Sequence, residues 1–284
     1  MTRRRKVRGA IVAALSVALV GGGVYTAAAL LQKSERLITE GCVAAVGSQQ
    51  AELATDQAAN AALVAAISVR RGLPPRAASI ALATAMQESK LRNIDHGDLA
   101  GPDSRGLFQQ RPSQGWGSTE QVMDPHYATN AFYDALVKVQ GYEGMDVTEA
   151  AQRVQRSAYP RAYAQHEAMG RSFASALSGQ THAALDCTLR SPEHAGDPAA
   201  FLGELQAQYG SLPASATGQT LVLEAADDLA WSLAHWAVAN AKEFAVVQVD
   251  VDGMSWNRQA RNGWQESAGS GGTVTVTFAE APAG

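Results

Sequence analysis

The chain has 284 residues, with 23 Lys and Arg against 27 Asp and Glu, a net charge of −4. Arg3, Arg4, Arg5, Lys6 and Arg8 supply five of the basic residues, so the chain beyond them carries 18 against 27, a net of −9. That balance excludes nucleic acid, which needs a basic footprint, and excludes retention of anionic polymers by bulk charge, so a ligand of that kind has to be held in a shaped cleft.

Residues 1–8 read as a basic cytoplasmic tail. No charged residue follows until Lys33. As a helix, residues 9–32 would span roughly 36 Å at about 1.5 Å per residue, enough for a bilayer core of about 30 Å. The five basic residues before the span outnumber Lys33 and Arg36 just after it, which places the N-terminus inside and the remainder outside. Two processing states fit: an uncleaved anchor, or a signal peptide cut near Ala27, Ala28 and Ala29. The apolar run exceeds the roughly 7–15 residues of a signal core, which favours the anchor; Gly21, Gly22 and Gly23 keep cleavage open. The only cysteines, Cys42 and Cys187, both lie beyond the span. In an oxidising compartment they would close a disulfide that stabilises the fold by about 3–5 kcal/mol; the alternative is two unrelated free thiols.

Residues 33–50 read as a stalk. Helical periodicity begins over 56–71, with an apolar stripe of Ala59, Leu63, Ile67 and Val69 and Asp56 as N-cap. Gly72 stops this helix, and Pro74 and Pro75 start the next over 76–92. There Ile80, Thr84, Glu88 and Leu91 share one face, so a carboxylate ends an inward stripe. Residues 93–125 are crowded with Gly and Pro and read as loops with short strands; long irregular stretches within compact domains are usually functional. Helices are expected again over 126–139, 147–158 and 161–177. A linker over 191–219 separates a first domain (51–190) from a small α+β domain (220–284). The latter has a helix over 225–242, strands over 244–251, 254–258 and 273–278, and a hairpin turn at Asp252-Gly253. The alanine-rich composition makes the whole mainly α.

Four blocks in this order carry a resemblance. They are Ala85-Met86-Gln87-Glu88-Ser89-Lys90-Leu91, Ser104-Arg105-Gly106-Leu107-Phe108-Gln109-Gln110, Asn130-Ala131-Phe132-Tyr133-Asp134-Ala135-Leu136 and Ser157-Ala158-Tyr159-Pro160. Together they resemble the lytic transglycosylase and goose-type lysozyme families of the lysozyme-like superfamily, over about residues 51–176. The run from Gly106 to Gly117 resembles an actinobacterial branch of exported lysozyme-like proteins. Phe108 stands where those families have Met, and Pro160 where they have Asn.

The resemblance implies a lysozyme-like helical domain with a loop and short-strand cleft, and cleavage of the β-1,4 bond between N-acetylmuramic acid and N-acetylglucosamine. Glu88 would be the acid, since a buried carboxyl keeps its proton near neutral pH. In the transglycosylase form one Glu acts as acid and then base, and a 1,6-anhydro end forms. Hydrolysis needs a second carboxylate to activate water. Asp95, Asp98 and Asp103 are the candidates, with Asp103 preferred because it precedes the Ser104 block. Ser89, Ser104 and Gln109 would bind substrate. Trp116 would stack on a sugar or anchor its loop, and Tyr159 would sit near Glu88 or in the core.

The partners implied are peptidoglycan glycan strands and the cytoplasmic membrane through the N-terminal helix. A role with the cell-wall synthesis machinery leaves no mark in the sequence. The six histidines show no HExxH or paired metal spacing, so neither metal nor cofactor is expected. The segment from Leu229 to Phe278 resembles a small domain found at the ends of actinobacterial wall hydrolases. Its last strand, over 273–278, lacks that domain's His-x-His, which implies a binding or spacing module without metal chemistry. The remaining alternative is a catalytically quiet peptidoglycan-binding scaffold that keeps the cleft.

Overall fold

In the computed structural model, residues 37–99, 101–157, 161–269 and 271–281 are described, together with residues 23 and 35. The expected span over 9–32 therefore lies outside the described residues apart from Gly23. Among the described residues, no helix is long and apolar enough to cross a membrane. Contacts divide the chain into Met1–Thr39 and Glu40–Gly284.

The second unit begins where the stalk was expected. Strands β1 (Gly41–Val46) and β2 (Gln49–Leu53) form an antiparallel hairpin, with Gly47 at φ +59° in the tight turn. Strand β3 (Leu185–Thr188) pairs with the other edge of β1 and sets Cys187 opposite Cys42, with Cα atoms 4.0 Å apart. The two cysteines form a disulfide.

Helix α1 (Thr55–Arg70) follows the hairpin. Gln57 reaches back to accept the Ala54 N–H at 2.9 Å, while Asp56, the expected cap, pairs with Arg92 at 2.5 Å. Every residue from Ala61 to Ser68 is buried, because α1 packs against helices on several sides: α2 (Pro75–Ser89), α4 (Pro125–Leu136), α6 (Glu167–Leu177), α7 (Pro198–Tyr209) and α8 (Asp227–Ala239). Gly72, at φ +63°, and Pro75 make the break before α2 as the sequence indicates. Two short helices complete this half, α3 (Thr119–Met123) and α5 (Val147–Gln155). The region expected to be one helix over 161–177 is a turn and a single 3-10 turn (Ala164–His166) before α6 begins.

The remainder forms a six-stranded antiparallel sheet in the order β4-β5-β9-β6-β7-β8. Its strands are β4 (Ala214–Thr217), β5 (Thr220–Glu224), β6 (Val246–Val251), β7 (Met254–Asn257), β8 (Trp264–Glu266) and β9 (Thr273–Phe278). Helix α8 lies between this sheet and the helical half. It packs on β6 and β9 and also on α1, α6 and β3, and Ala230 to Asn240 are buried without interruption. Trp256 Nε1 donates to Asp186 Oδ1 and Trp264 Nε1 to the Leu185 carbonyl, each at 2.8 Å, fastening β7 and β8 to β3.

The expectation of a mainly α protein is overturned. The fold is mixed α/β, 43% helical and 19% strand, with a three-stranded and a six-stranded sheet. The cause is visible in the strands that went unread. Residues 41–53 are short and alanine-containing, and β4 and β5 fall in and just after a stretch whose Ser, Pro and Gly content signals a linker. That stretch also contains α7, which packs on α1.

Two features of this core have measurable consequences. On α6, Gly170 lies so close to α2 that a Cβ there would sit 2.7 Å from the Ser79 carbonyl oxygen. Gly170→Ala is expected to lower stability by about 1–3 kcal/mol, read from the denaturant midpoint. His235 is fully buried: its Nδ1–H donates to the Ala176 carbonyl at 2.7 Å and its Nε2 accepts the Ala184 N–H at 3.2 Å. Burial pushes its pKa down to about 4, against the Ala176 bond, which works upward. The unfolded chain then binds more protons than the folded one, so stability is lost as pH falls from about 6.5 through the folded value. His235→Gln should flatten the decline in denaturation midpoint between pH 6.5 and 4; an unchanged slope would assign the decline to other groups.

Candidate active site

Helix α2 delivers Glu88 in its last turn, on the face that carries the fully buried Ile80 and Thr84. Lys90 and Leu91 then take φ of +57° and +54°, which ends the helix abruptly behind Glu88. Burial raises the Glu88 pKa from the ordinary carboxyl value, and the Asp98 charge pushes the same way. Hydrogen bonds from Tyr163 and Gln155 oppose the rise without cancelling it. The Tyr163 hydroxyl donates to Glu88 Oε1 at 2.7 Å, and the ring is wholly buried, so this phenol stays protonated. Gln155 Nε2 also donates to the Phe108 carbonyl at 2.7 Å, joining the end of α5 to the loop that follows Glu88.

That loop is a wall of a cleft of about 1150 Å³, to which Glu88, Asp98, Ser104, Gln109, Trp116 and Gln155 all contribute. The volume lies just above the roughly 300–1,000 Å³ of small-molecule pockets. Its Gln109 segment is a tight reversal. Arg105 and Gln110 exchange backbone hydrogen bonds at 3.0 and 2.9 Å, and Gly106 at φ +77° lies where a Cβ would sit 2.1 Å from the Val122 carbonyl oxygen. Gln109 itself has φ +48°, a conformation that costs on the order of 1 kcal/mol.

The expected site residues divide by position. Ser104 is buried on the cleft wall, with its N–H on the Gly101 carbonyl at 2.9 Å. Trp116 lines the cleft, and its carbonyl is held by the Tyr127 hydroxyl at 3.2 Å. Ser89 is buried; its Oγ lies 2.7 Å from the Leu107 carbonyl and accepts the Arg92 N–H at 3.2 Å. It positions the loop against α2 and lies outside the cleft lining. Asp103 is likewise outside the lining. Bonds from Ser113, with the Arg111 guanidinium at 2.8 Å, hold its carboxyl at about 2, so it braces the loop. Of the three candidate second carboxylates, Asp98 lines the cleft; Asp95 does not. Tyr159 lies outside the described residues.

Tyr163 was not anticipated. It falls in a stretch read as helix, and only its place four residues after the aromatic of the last block could have drawn attention to it. Gln155 gave no signal at all. Among the described residues, no group of three or more His, Cys, Asp and Glu is arranged to hold a metal.

No family model and no curated protein matches the chain.

The Tyr163 bond favours the charged form of Glu88, so removing it should raise the Glu88 pKa further. Carboxyl-carbon NMR of labelled protein should show Glu88 titrating at higher pH in Tyr163→Phe than in the wild type. An unmoved titration would reduce Tyr163 to a packing residue.

Proposed function

We propose that this chain cleaves the β-1,4 bond between N-acetylmuramic acid and N-acetylglucosamine in peptidoglycan, as a one-glutamate lytic transglycosylase. What supports this is Glu88: a carboxyl whose pKa is raised by burial, held by the Tyr163 hydroxyl at 2.7 Å, in a cleft of about 1150 Å³. The four-block resemblance to lysozyme-like enzymes points to the same residue.

In this mechanism Glu88 gives its proton to the glycosidic oxygen as the bond to the muramic C1 breaks, and positive charge develops on that sugar. The resulting Glu88 carboxylate, stabilised by the Tyr163 hydroxyl and the Gln155 amide, takes the proton of the muramic 6-hydroxyl as that oxygen bonds to C1. Glu88 is then protonated again, and the products are an N-acetylglucosamine end and a 1,6-anhydromuramic end. Gln109, Ser104 and Trp116 would contact the sugars from the loop. The protein would act outside the cell, held by its N-terminal segment, in an oxidising compartment that suits the Cys42–Cys187 disulfide.

Hydrolysis is the second reading, favoured by one observation: Asp98 lines the same cleft and acts electrostatically on Glu88. Asp98 would then activate a water in place of the 6-hydroxyl.

Purified sacculi incubated with the full chain distinguish the two by product mass. Anhydro ends, one water lighter than reducing ends, are expected from the wild type, with release reduced at least about 100-fold in Glu88→Gln. Reducing ends that vanish in Asp98→Asn would establish the hydrolase. Binding of sacculi with no release from the wild type would make the protein a wall-binding scaffold.

A further inference from the structure

The cleft differs in charge from the chain that surrounds it. Four of its lining residues are basic (Arg111, Lys138, Arg153 and Arg156) and two are acidic, Glu88 and Asp98, in a protein of net charge −4. Two of the cations already have carboxylate partners. Arg111 pairs with Asp103 at 2.8 Å and Arg153 with Glu149 at 2.6 Å. Lys138 and Arg156 have no side-chain hydrogen bond or ion pair among the described residues, and both are exposed. Lys138 stands just beyond the C-terminal end of α4 and Arg156 caps α5. Ala135, Val139 and Val154 add apolar side chains to the same lining.

The influences on Glu88 are burial, Tyr163, Gln155 and Asp98; none of these cations is among them. Uncompensated cations in a concave site attract and orient an anion more effectively than cations scattered on a convex surface.

We propose that the α4–α5 wall of the cleft is an anion subsite, in which Lys138 and Arg156 take free carboxylates of the peptide attached to muramic acid. This rests on the glycan-cleaving function proposed above. It adds that the protein selects strands by the charge of their stems. An amidated stem offers the same sugars and the same peptide length but no carboxylate for these two side chains, and it should be a poorer ligand.

The test compares two synthetic tetrasaccharides of the glycan strand, identical except that the stem carboxyls are free in one and amidated in the other. Both are bound to the full chain carrying Glu88→Gln, which prevents turnover. The free-acid strand is expected to bind about tenfold more tightly at low salt, and this preference should shrink as salt is added. In the Lys138→Gln/Arg156→Gln variant, the ratio should fall towards one. The amidated ligand tests the same contact without any substitution, so a variant that folds poorly does not leave the result open. Equal affinity for the two strands, with sacculi still cleaved by the wild type, overturns the subsite and leaves the glycosidase standing. Equally tight binding of poly-glutamate, which has no sugar, also overturns it, because the wall would then attract any polyanion. Failure to bind either strand, with no cleavage of sacculi, removes both proposals together.

Discussion

A helix without a solvent face has to be surrounded, and much of this architecture follows from meeting that need for α8. From Ala230 to Asn240 the chain exposes nothing. Such a segment contributes to stability only if apolar surface is brought to it from every direction. Here α1, α6 and β3 cover it from one side, and β6 and β9 from the other. Two polar side chains on α8 find partners inside that enclosure, His235 between Ala176 and Ala184 and Trp236 Nε1 on Gln208 Oε1 at 2.6 Å, whereas Trp231 Nε1 is buried with none among the described residues. The C-terminal sheet is therefore a wall of the core. The α6 helix pressed against α8 is also the one that, through Gly170, closes on α2 and so fixes the helix that bears Glu88.

Local signals were the legible ones. The Gly72 and Pro75 break, the Asp252-Gly253 hairpin and the alternation of β9 depend on neighbouring residues, and each stands where the sequence put it; α2, expected to run to residue 92, ends at Ser89, with Lys90 and Leu91 left-handed. The disulfide was also within reach, since a chain expected to be exported and holding two cysteines has one possible pairing. What escaped depends on distant partners. Residues 41–46 pair on one side with β2 across a local turn, but their other edge is completed by β3, more than 130 residues later. Asp98 and Asp103 stand five positions apart in one loop with the same turn chemistry. Only the fold of that loop turns Asp98 to the cleft and gives Asp103 to Arg111 and Ser113. Tyr163 reaches Glu88 across 75 positions of sequence.

The site shows how opposing influences on one carboxyl are balanced. Burial alone would make Glu88 a reluctant anion, able to give a proton but poor at holding the charge that remains. The Tyr163 hydroxyl and the Gln155 amide moderate that reluctance without reversing it. A group that must act first as acid and then as base needs both halves of this arrangement. Because Gln155 also holds the Phe108 carbonyl, the carboxylate and the loop that lines the cleft share a support. A shift of α5 would move both at once.

The Cys42–Cys187 link also determines where mechanical load would travel. A pull on the residues before β1 enters the folded unit at its first strand, and the sulfur–sulfur bond offers a covalent route across to β3. The link spans 145 positions of sequence, and the segment it encloses contains Glu88, Tyr163 and the loop that lines the cleft. Tension along the chain would bypass that segment and pass through β3 to Trp256 and Trp264, which bind it to the sheet. The tethered glycan-cleaving protein proposed above would thereby keep the geometry around Glu88 off the line of force.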